Sequence, residues 1–216
     1  MSDTINKLIL VDDHPLLRKG VRQLVELEDD MEVIGEASNG EDAVKLAQEV
    51  EADLVLLDLT MKGMDGIETL QAMRNAGVSC HIVVFTVSDD TNDVVSALKA
   101  GADGYLLKDM EPDRLVDRIR EACSGKMVLS EELTEVLAKA FRDDSSKDRG
   151  DGFNSLTRRE KEILKMIAEG LSNKMIGRQL NIVEATVKVH VKHLLKKLGL
   201  RSRVEAAVWA VENRVK

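Results

Sequence analysis

Two hydrophobic patterns alternate along the first 125 residues. Short apolar runs bounded by Gly, Asp and Asn, at Leu8–Val11, Glu32–Gly35, Leu54–Leu57, Ile82–Phe85 and Gly104–Leu107, read as five buried strands. The stretches between and after them, 16–27, 41–49, 67–76, 93–100 and 113–122, carry apolar residues at three- and four-residue spacing and read as helices. Five such alternations predict an α/β fold, a doubly wound five-stranded parallel sheet with helices on both faces. A fold of that kind places its ligand site at the carboxyl ends of the strands.

Beyond the fifth helix the pattern changes. Ser130, followed by Glu131 and Glu132, starts a further helix that runs to about Phe141. Residues 142–152, RDDSSKDRGDG, contain nothing apolar and form the best linker in the chain. After it the spacing is helical throughout, which predicts a second, smaller all-α domain. Thr157 with Glu160 and Ser202 with Glu205 have capping-box spacing, and Gly170, Gly199 and the turn around Asn181 supply breaks between helices. The division expected is 1–126, a linker helix and flexible linker over 127–152, and 153–216.

A length of 216 residues suits two domains, and 44% apolar with 32% charged residues is a soluble globular composition. No apolar run approaches the roughly 18 residues of a membrane span, and the first residues lack a signal-peptide pattern, so a cytoplasmic protein is expected. Cys80 and Cys123 have no CxxC or Cys/His ligand spacing and read as reduced, structural thiols. The net charge of −8 conceals an asymmetry: residues 1–142 carry −14, residues 143–152 carry −2, and residues 153–216 carry +8. The basic C-terminal part calls for a polyanion, with nucleic acid the first candidate.

Five chemically capable residues fall at the carboxyl ends of predicted strands: Asp12 and Asp13 after the first, Asp58 after the third, Thr86 after the fourth and Lys108 after the fifth. Three carboxylates converging on one crevice repel each other unless a cation joins them, and Mg²⁺ suits carboxylate oxygens and phosphoryl chemistry. Asp58 is then a nucleophile able to form an acyl phosphate. Asp12 and Asp13 hold the ion with it, Lys108 pairs a phosphoryl oxygen, and Thr86 hydrogen-bonds another. Any one of these acids alone is an ordinary turn former. His14 beside them is expected to cap the first helix. No G-x-x-x-x-G-K-[ST] or G-x-G-x-x-G motif supports nucleotide hydrolysis or dinucleotide binding.

VDDHP (11–15), LLDLTMKGMDG (56–66), VFTVSD (84–89) and GADGYLLKD (101–109) together resemble a two-component receiver domain. The resemblance implies that Asp58 is phosphorylated by a sensor histidine kinase and that the Thr60 carbonyl is a further Mg²⁺ ligand. It also implies a switch in which Thr86 turns toward the phosphoryl group and Tyr105 moves inward; packing on an edge strand is the plain alternative for Tyr105. Two positions depart from the family pattern. Lys62 stands where many receivers have Pro, and Asp109 follows Lys108 where many have Pro, which puts a cis bond there in doubt.

In the basic segment, the helix read over 184–198 separates into an inward stripe, Val187, Val191, Leu194 and Leu198, and an outer one, Lys188, Val189, Lys192 and Lys196. A positive stripe alone is often a solvated face. An exposed valine among lysines is what a major-groove reader combines, base-edge donors with a contact to a thymine methyl. With the helix near 172–180 it has helix-turn-helix spacing. His190 and His193 lack the further ligands of a zinc site.

LTRRE, GLSNKMIGRQL and TVKVHVKHLLKKLG resemble the LuxR-type DNA-binding domain. That resemblance implies base reading by Lys188, Val189 and Lys192, and phosphate contacts from Asn173, Lys174, Thr186, Lys196 and Arg201. It also implies dimerisation through the last helix, where Val204, Ala207, Val208 and Val211 are available or else pack internally. Val183 replaces the Ser or Thr usual at the start of the reading helix, a loss of ~1 kcal/mol of capping.

The whole chain except the linker resembles the NarL-type response regulators, those responding to nitrate and nitrite in particular. The resemblance implies a non-enzymatic, phosphorylation-activated transcription factor for anaerobic respiration genes. Its partners would be a sensor histidine kinase, paired DNA half-sites, a second copy of the chain and the transcription machinery. Its receiver would occlude the reading helix until Asp58 is phosphorylated. An Asp-nucleophile, Mg²⁺-dependent phosphohydrolase is the alternative from another class, but it wants a second Asp at position 60, where this chain has Thr. A protein-interaction adaptor is a third.

Overall fold

The computed structural model describes residues 5–129, 152–213 and 215. The helix expected from Ser130 and the linker residues 142–151 lie outside them. The first unit runs β1 (Asn6–Val11), α1 (Pro15–Glu26), β2 (Met31–Ala37), α2 (Gly40–Glu49), β3 (Leu54–Leu57), α3 (Gly66–Asn75), β4 (His81–Thr86), α4 (Thr91–Ala100), β5 (Gly104–Leu107) and α5 (Pro112–Cys123). All five strands are parallel, in the order β2-β1-β3-β4-β5. β3 and β5 coincide with the apolar runs that predict them, while β1, β2 and β4 extend one or two residues further because backbone pairing does not depend on the side chain.

Successive strand residues point to opposite faces, so one run of apolar residues feeds two cores. Ile9, Val11, Val55, Leu57, Ile82 and Val84 face α2, α3 and α4, where Ala43, Leu70, Met73, Val94 and Leu98 meet them. Leu8, Leu10, Leu54, Leu56, Val83 and Phe85 face α1 and α5, against Val21, Val25, Leu115 and Ile119. The outer edge of β5 is covered: Gly104 bridges to Val128, and the Tyr105 amide donates to the Val128 carbonyl at 2.8 Å.

The second unit comprises α6 (Gly152–Ser155), α7 (Arg158–Ala168), α8 (Asn173–Leu180), α9 (Glu184–Leu198) and α10 (Arg203–Glu212). Its core gathers Ile163, Leu164, Ile167, Ile176, Val187, Leu194 and Trp209, with Phe153 stacked on Trp209. Gly170, Asn181 and Gly199 all take the left-handed conformation that ends a helix, as their positions predict. Thr157 and Glu160 form a complete capping box, and Lys197 Nζ reaches the same Glu160 at 2.7 Å, tying the start of α7 to α9. The second expected box is half made. Ser202 accepts the Glu205 amide, but Glu205 turns back to the Arg201 amide.

Val204 departs from its neighbours. Although it lies on α10, it is buried with the apolar residues of the first unit, where α10 meets α4. The two units are therefore docked on one another.

Candidate phosphoacceptor site and nucleic-acid interface

Three backbone hydrogen bonds just past the strand ends bring the functional side chains together. The Asp12 amide donates to Ala37 O at 3.1 Å, the Asp58 amide to Val11 O at 2.9 Å, and the Lys108 amide to Thr86 O at 2.9 Å. Each continues the sheet's pairing by one residue beyond its apolar run, so the polar residue emerges at the rim. Gly66 lets α3 close under this rim: a Cβ there would lie 2.3 Å from the Asp58 carbonyl oxygen.

Asp12 and Asp58 are buried and Asp13 is half-buried; with His14 their ligand atoms lie within 4.8 Å of one another. Lys108 Nζ sits 2.8 Å from Asp12 Oδ2 and 2.9 Å from Asp58 Oδ2. The approach to Asp58 is off the axis of a hydrogen bond, so both Asp58 carboxylate oxygens are buried without a hydrogen-bond donor, and Asp13 Oδ1 has only an ion-pair contact with His14 Nδ1 that likewise lies off that axis. One ammonium serves two of the three carboxylates, and buried oxygens without donors are costly. An oxygen-seeking divalent cation fits this donor set. Thr60 lies two residues past Asp58 with its side chain exposed.

His14 occupies the N-cap position of α1 but makes no side-chain cap. Its Nδ1 turns instead to the carboxylates of Asp13 (2.9 Å) and Asp12 (3.3 Å), whose charge outbids a neutral amide. The peptide bond after Lys108 is trans, as are all those described.

Thr86 is fully buried, its hydroxyl accepting the Ser88 amide at 3.4 Å. Tyr105 is also already inside, 1% exposed, its hydroxyl donating to the Ser88 carbonyl at 2.8 Å. Burial pushes the phenol up to about 12. An inward Tyr105 therefore coexists with docked units, and the expected inward swing finds it in place. Ser88 links the two residues through its own peptide groups. Sequence reading passed over it because a small polar residue after a strand has no pattern of its own.

On the helical unit, α9 presents both predicted stripes. Val187 and Leu194 are fully buried and Leu198 nearly so, Val191 is half-buried, and Val189, Lys192 and Lys196 are exposed. Val183 caps α9 without a side-chain bond. Lys174 is exposed and Thr186 half-buried. Lys188 is committed: its Nζ lies 2.5 Å from Asp53 Oδ1 on the loop before β3. Arg201 reaches the Lys99 carbonyl at 3.5 Å.

Asn173 departs from the phosphate contact expected of it. It is 2% exposed, its amide donates to the Ser124 carbonyl at 3.1 Å, and its side-chain oxygen accepts Arg203 Nη1 at 2.9 Å. The reason is a buried hub that the sequence did not disclose. Asp103 accepts from Arg74 Nη2 (2.6 Å), the Ile82 amide (3.0 Å) and the Arg203 amide (3.3 Å), while Arg203 Nη2 bonds the Leu171 carbonyl. Burial pushes the Arg203 guanidinium down to about 10, against the pull of Asp103. Of the residues expected at a dimer contact, Val204 is covered by the first unit, Ala207 and Val208 are half-buried and Val211 is exposed.

A flavodoxin-like sheet with an acidic crevice at its strand ends, joined to a helix-turn-helix, defines a response regulator. The receiver-domain family model matches residues 8–120 and the model of the bacterial regulatory proteins of the luxR family matches residues 154–210, and the chain belongs to both families. It is 56% identical over 208 residues to the nitrate/nitrite response regulator protein NarL of Escherichia coli (strain K12), covering 96% of each chain. To NarP of the same strain it is 47% identical over 208 residues, covering 96% of this chain and 95% of that one. Among solved structures, the response regulator ChrA of a heme-sensing two-component system matches with a TM-score of 0.50 at 35% identity, covering 98% of this chain and 99% of that one. The chain is thus a two-component response regulator with a LuxR-type DNA-binding domain, close to NarL and NarP. None of its described helices is long and apolar enough to cross a membrane.

Proposed function

We propose that the chain is a cytoplasmic, phosphorylation-gated transcription factor in which the docked arrangement is the inactive state. The observation that carries this reading is Lys188, a base-reading candidate held in an ion pair with Asp53 across the two units. Lys188 can reach a base only when the receiver leaves Asp53's side of α9, and Val204, a candidate dimer contact, is covered by the same docking. Two requirements for paired half-site binding are thereby withheld together.

In the reaction proposed, an Asp58 carboxylate oxygen attacks the phosphorus of a kinase phosphohistidine. An acyl phosphate forms and the imidazole leaves with the electron pair of the broken P–N bond. A Mg²⁺ ion held by Asp12, Asp13, Asp58 and the Thr60 carbonyl would neutralise charge on the transferred group. Lys108 moves its ammonium from the carboxylates to a phosphoryl oxygen, and Thr86 offers its hydroxyl to another. Because Thr86, Ser88 and Tyr105 are bonded in sequence, a turn of Thr86 disturbs the contact beneath α4, the helix on which α10 rests. The docked and released states then exchange population. Control of nitrate- and nitrite-responsive respiratory genes is the assignment favoured by the similarity to NarL and NarP.

The test is binding to a promoter library with and without a small phosphodonor and Mg²⁺, for wild type and Asp58→Asn. Donor-dependent binding that the variant lacks is expected. Equal binding in every condition overturns the gate, and turnover of a small phosphate ester would favour the hydrolase.

A further inference from the structure

The docking leaves a cavity of about 390 Å³ between the units, separate from the acidic crevice. Its receiver wall includes Ala52, Asp53, Arg74, Val78, Cys80 and His81. Its helical wall includes Lys188, Val191, Lys192, Leu195, Lys196 and Arg201. Across the whole lining, six cationic side chains face two carboxylates. The carboxylates are already used, Asp103 by Arg74 and the Arg203 amide, and Asp53 by Lys188. His81 supplies no negative charge, and burial holds its imidazole neutral down to about pH 4. Among the described residues, Lys192 and Lys196 have no acidic partner, and the Arg201 guanidinium has only the long bond to the Lys99 carbonyl. The docked state therefore confines an excess of positive charge in a space partly shielded from water, where repulsion is less screened than at an open surface.

We propose that this cavity binds a small organic anion, an apolar body bearing a phosphate or several carboxylates, which holds the receiver and helical unit together. Ligand pockets combine apolar walls with a few converging polar groups. Here Val78, Val191 and Leu195 supply the walls while Lys192, Lys196 and Arg201 supply the charge. A ligand that requires both walls binds only the docked state and lowers DNA affinity by mass action. The lysines proposed for the DNA backbone and bases would serve the anion in one state and DNA in the other. The inference rests on docking being the resting state in solution, and the experiment separates the two.

Cys80 lines the cavity and reports its occupancy. Maleimide labelling of Cys80 in the full chain, read by peptide mass, is compared with adenosine monophosphate, citrate or KCl at matched ionic strength. At about ten times its Kd, an anion that fits slows labelling about ten-fold relative to KCl. In Lys192→Gln/Lys196→Gln the protection is lost while the melting temperature stays near wild type. Protection by adenosine monophosphate alone assigns a phosphate-bearing body, and by citrate alone a polycarboxylate. No protection beyond KCl, or protection unchanged in the double variant, overturns the site. Labelling no faster in Val204→Asp, which puts a charge on the face covered by the first unit, than in wild type overturns docking itself, and the site with it.

Discussion

Tyr105 and His81 show how much a single buried polar side chain depends on its surroundings. The Tyr105 hydroxyl has one acceptor, the Ser88 carbonyl, so Tyr105→Phe should cost about 1 kcal/mol in urea unfolding. The phenol titrates near 12 in the fold and near 10 outside it. Its stabilising contribution is therefore complete below pH 10 and lost as pH rises toward 12, a slope absent from the Phe variant. His81 runs the other way. Burial first, and then Arg203, Arg74 and Lys188, lower it from 6.5 to about 4 against the opposing pull of Asp103. Stability is full above pH 6.5 and falls as pH drops toward 4, by up to about 3 kcal/mol. Two of those cations come from the helical unit, so acid loosens docking as well as folding. Urea midpoints at pH 7 and pH 5 should differ markedly for wild type and little for His81→Asn.

At the scale of helices and strands, what could be read from the sequence and what could not divide along physical lines. The strands were legible because a parallel sheet buried on both faces leaves continuous apolar runs, and the site because its polar residues end those runs. Helix breaks were legible at Gly170, Asn181 and Gly199, where a left-handed residue is required. His14 was misread because local capping preference says nothing about two carboxylates folding back on it. Val183 was read correctly, since no hydroxyl or carboxylate is there to cap α9. It is 70% exposed, so Val183→Ser sacrifices little packing. We expect it to stabilise the helical unit by about 0.5–1 kcal/mol, followed by the fluorescence of Trp209, the only tryptophan.

The resemblance implied that the receiver occludes the reading helix, but the residues that dock the two units could not be read from the sequence. Asp103 and Arg203 are 100 residues apart, and neither lies in a pattern that marks it as buried. Asn173 resembles a phosphate contact by position, and only the fold shows it turned toward Arg203. The charge asymmetry pointed to a polyanion partner for the basic part, and within the chain Lys188 of that part pairs with Asp53 of the acidic one. Asp53→Asn removes that attraction while leaving Asp58 and its crevice intact. Affinity for a specific duplex without phosphodonor should rise about two- to five-fold, as expected for a partly exposed pair of up to 1 kcal/mol. Titration at low salt, by fluorescence anisotropy, checks it.

Under the proposed gate, in which Lys188 reads a base once released from Asp53, the regulator could not adjust its operator preference independently of its threshold for activation. A substitution at 188 that favours a different base also alters the grip on Asp53, so a new binding preference arrives with a new level of background expression. A lineage that shifts its targets through this position would need a compensating change at 53 or along the Asp103 hub to stay silent at rest.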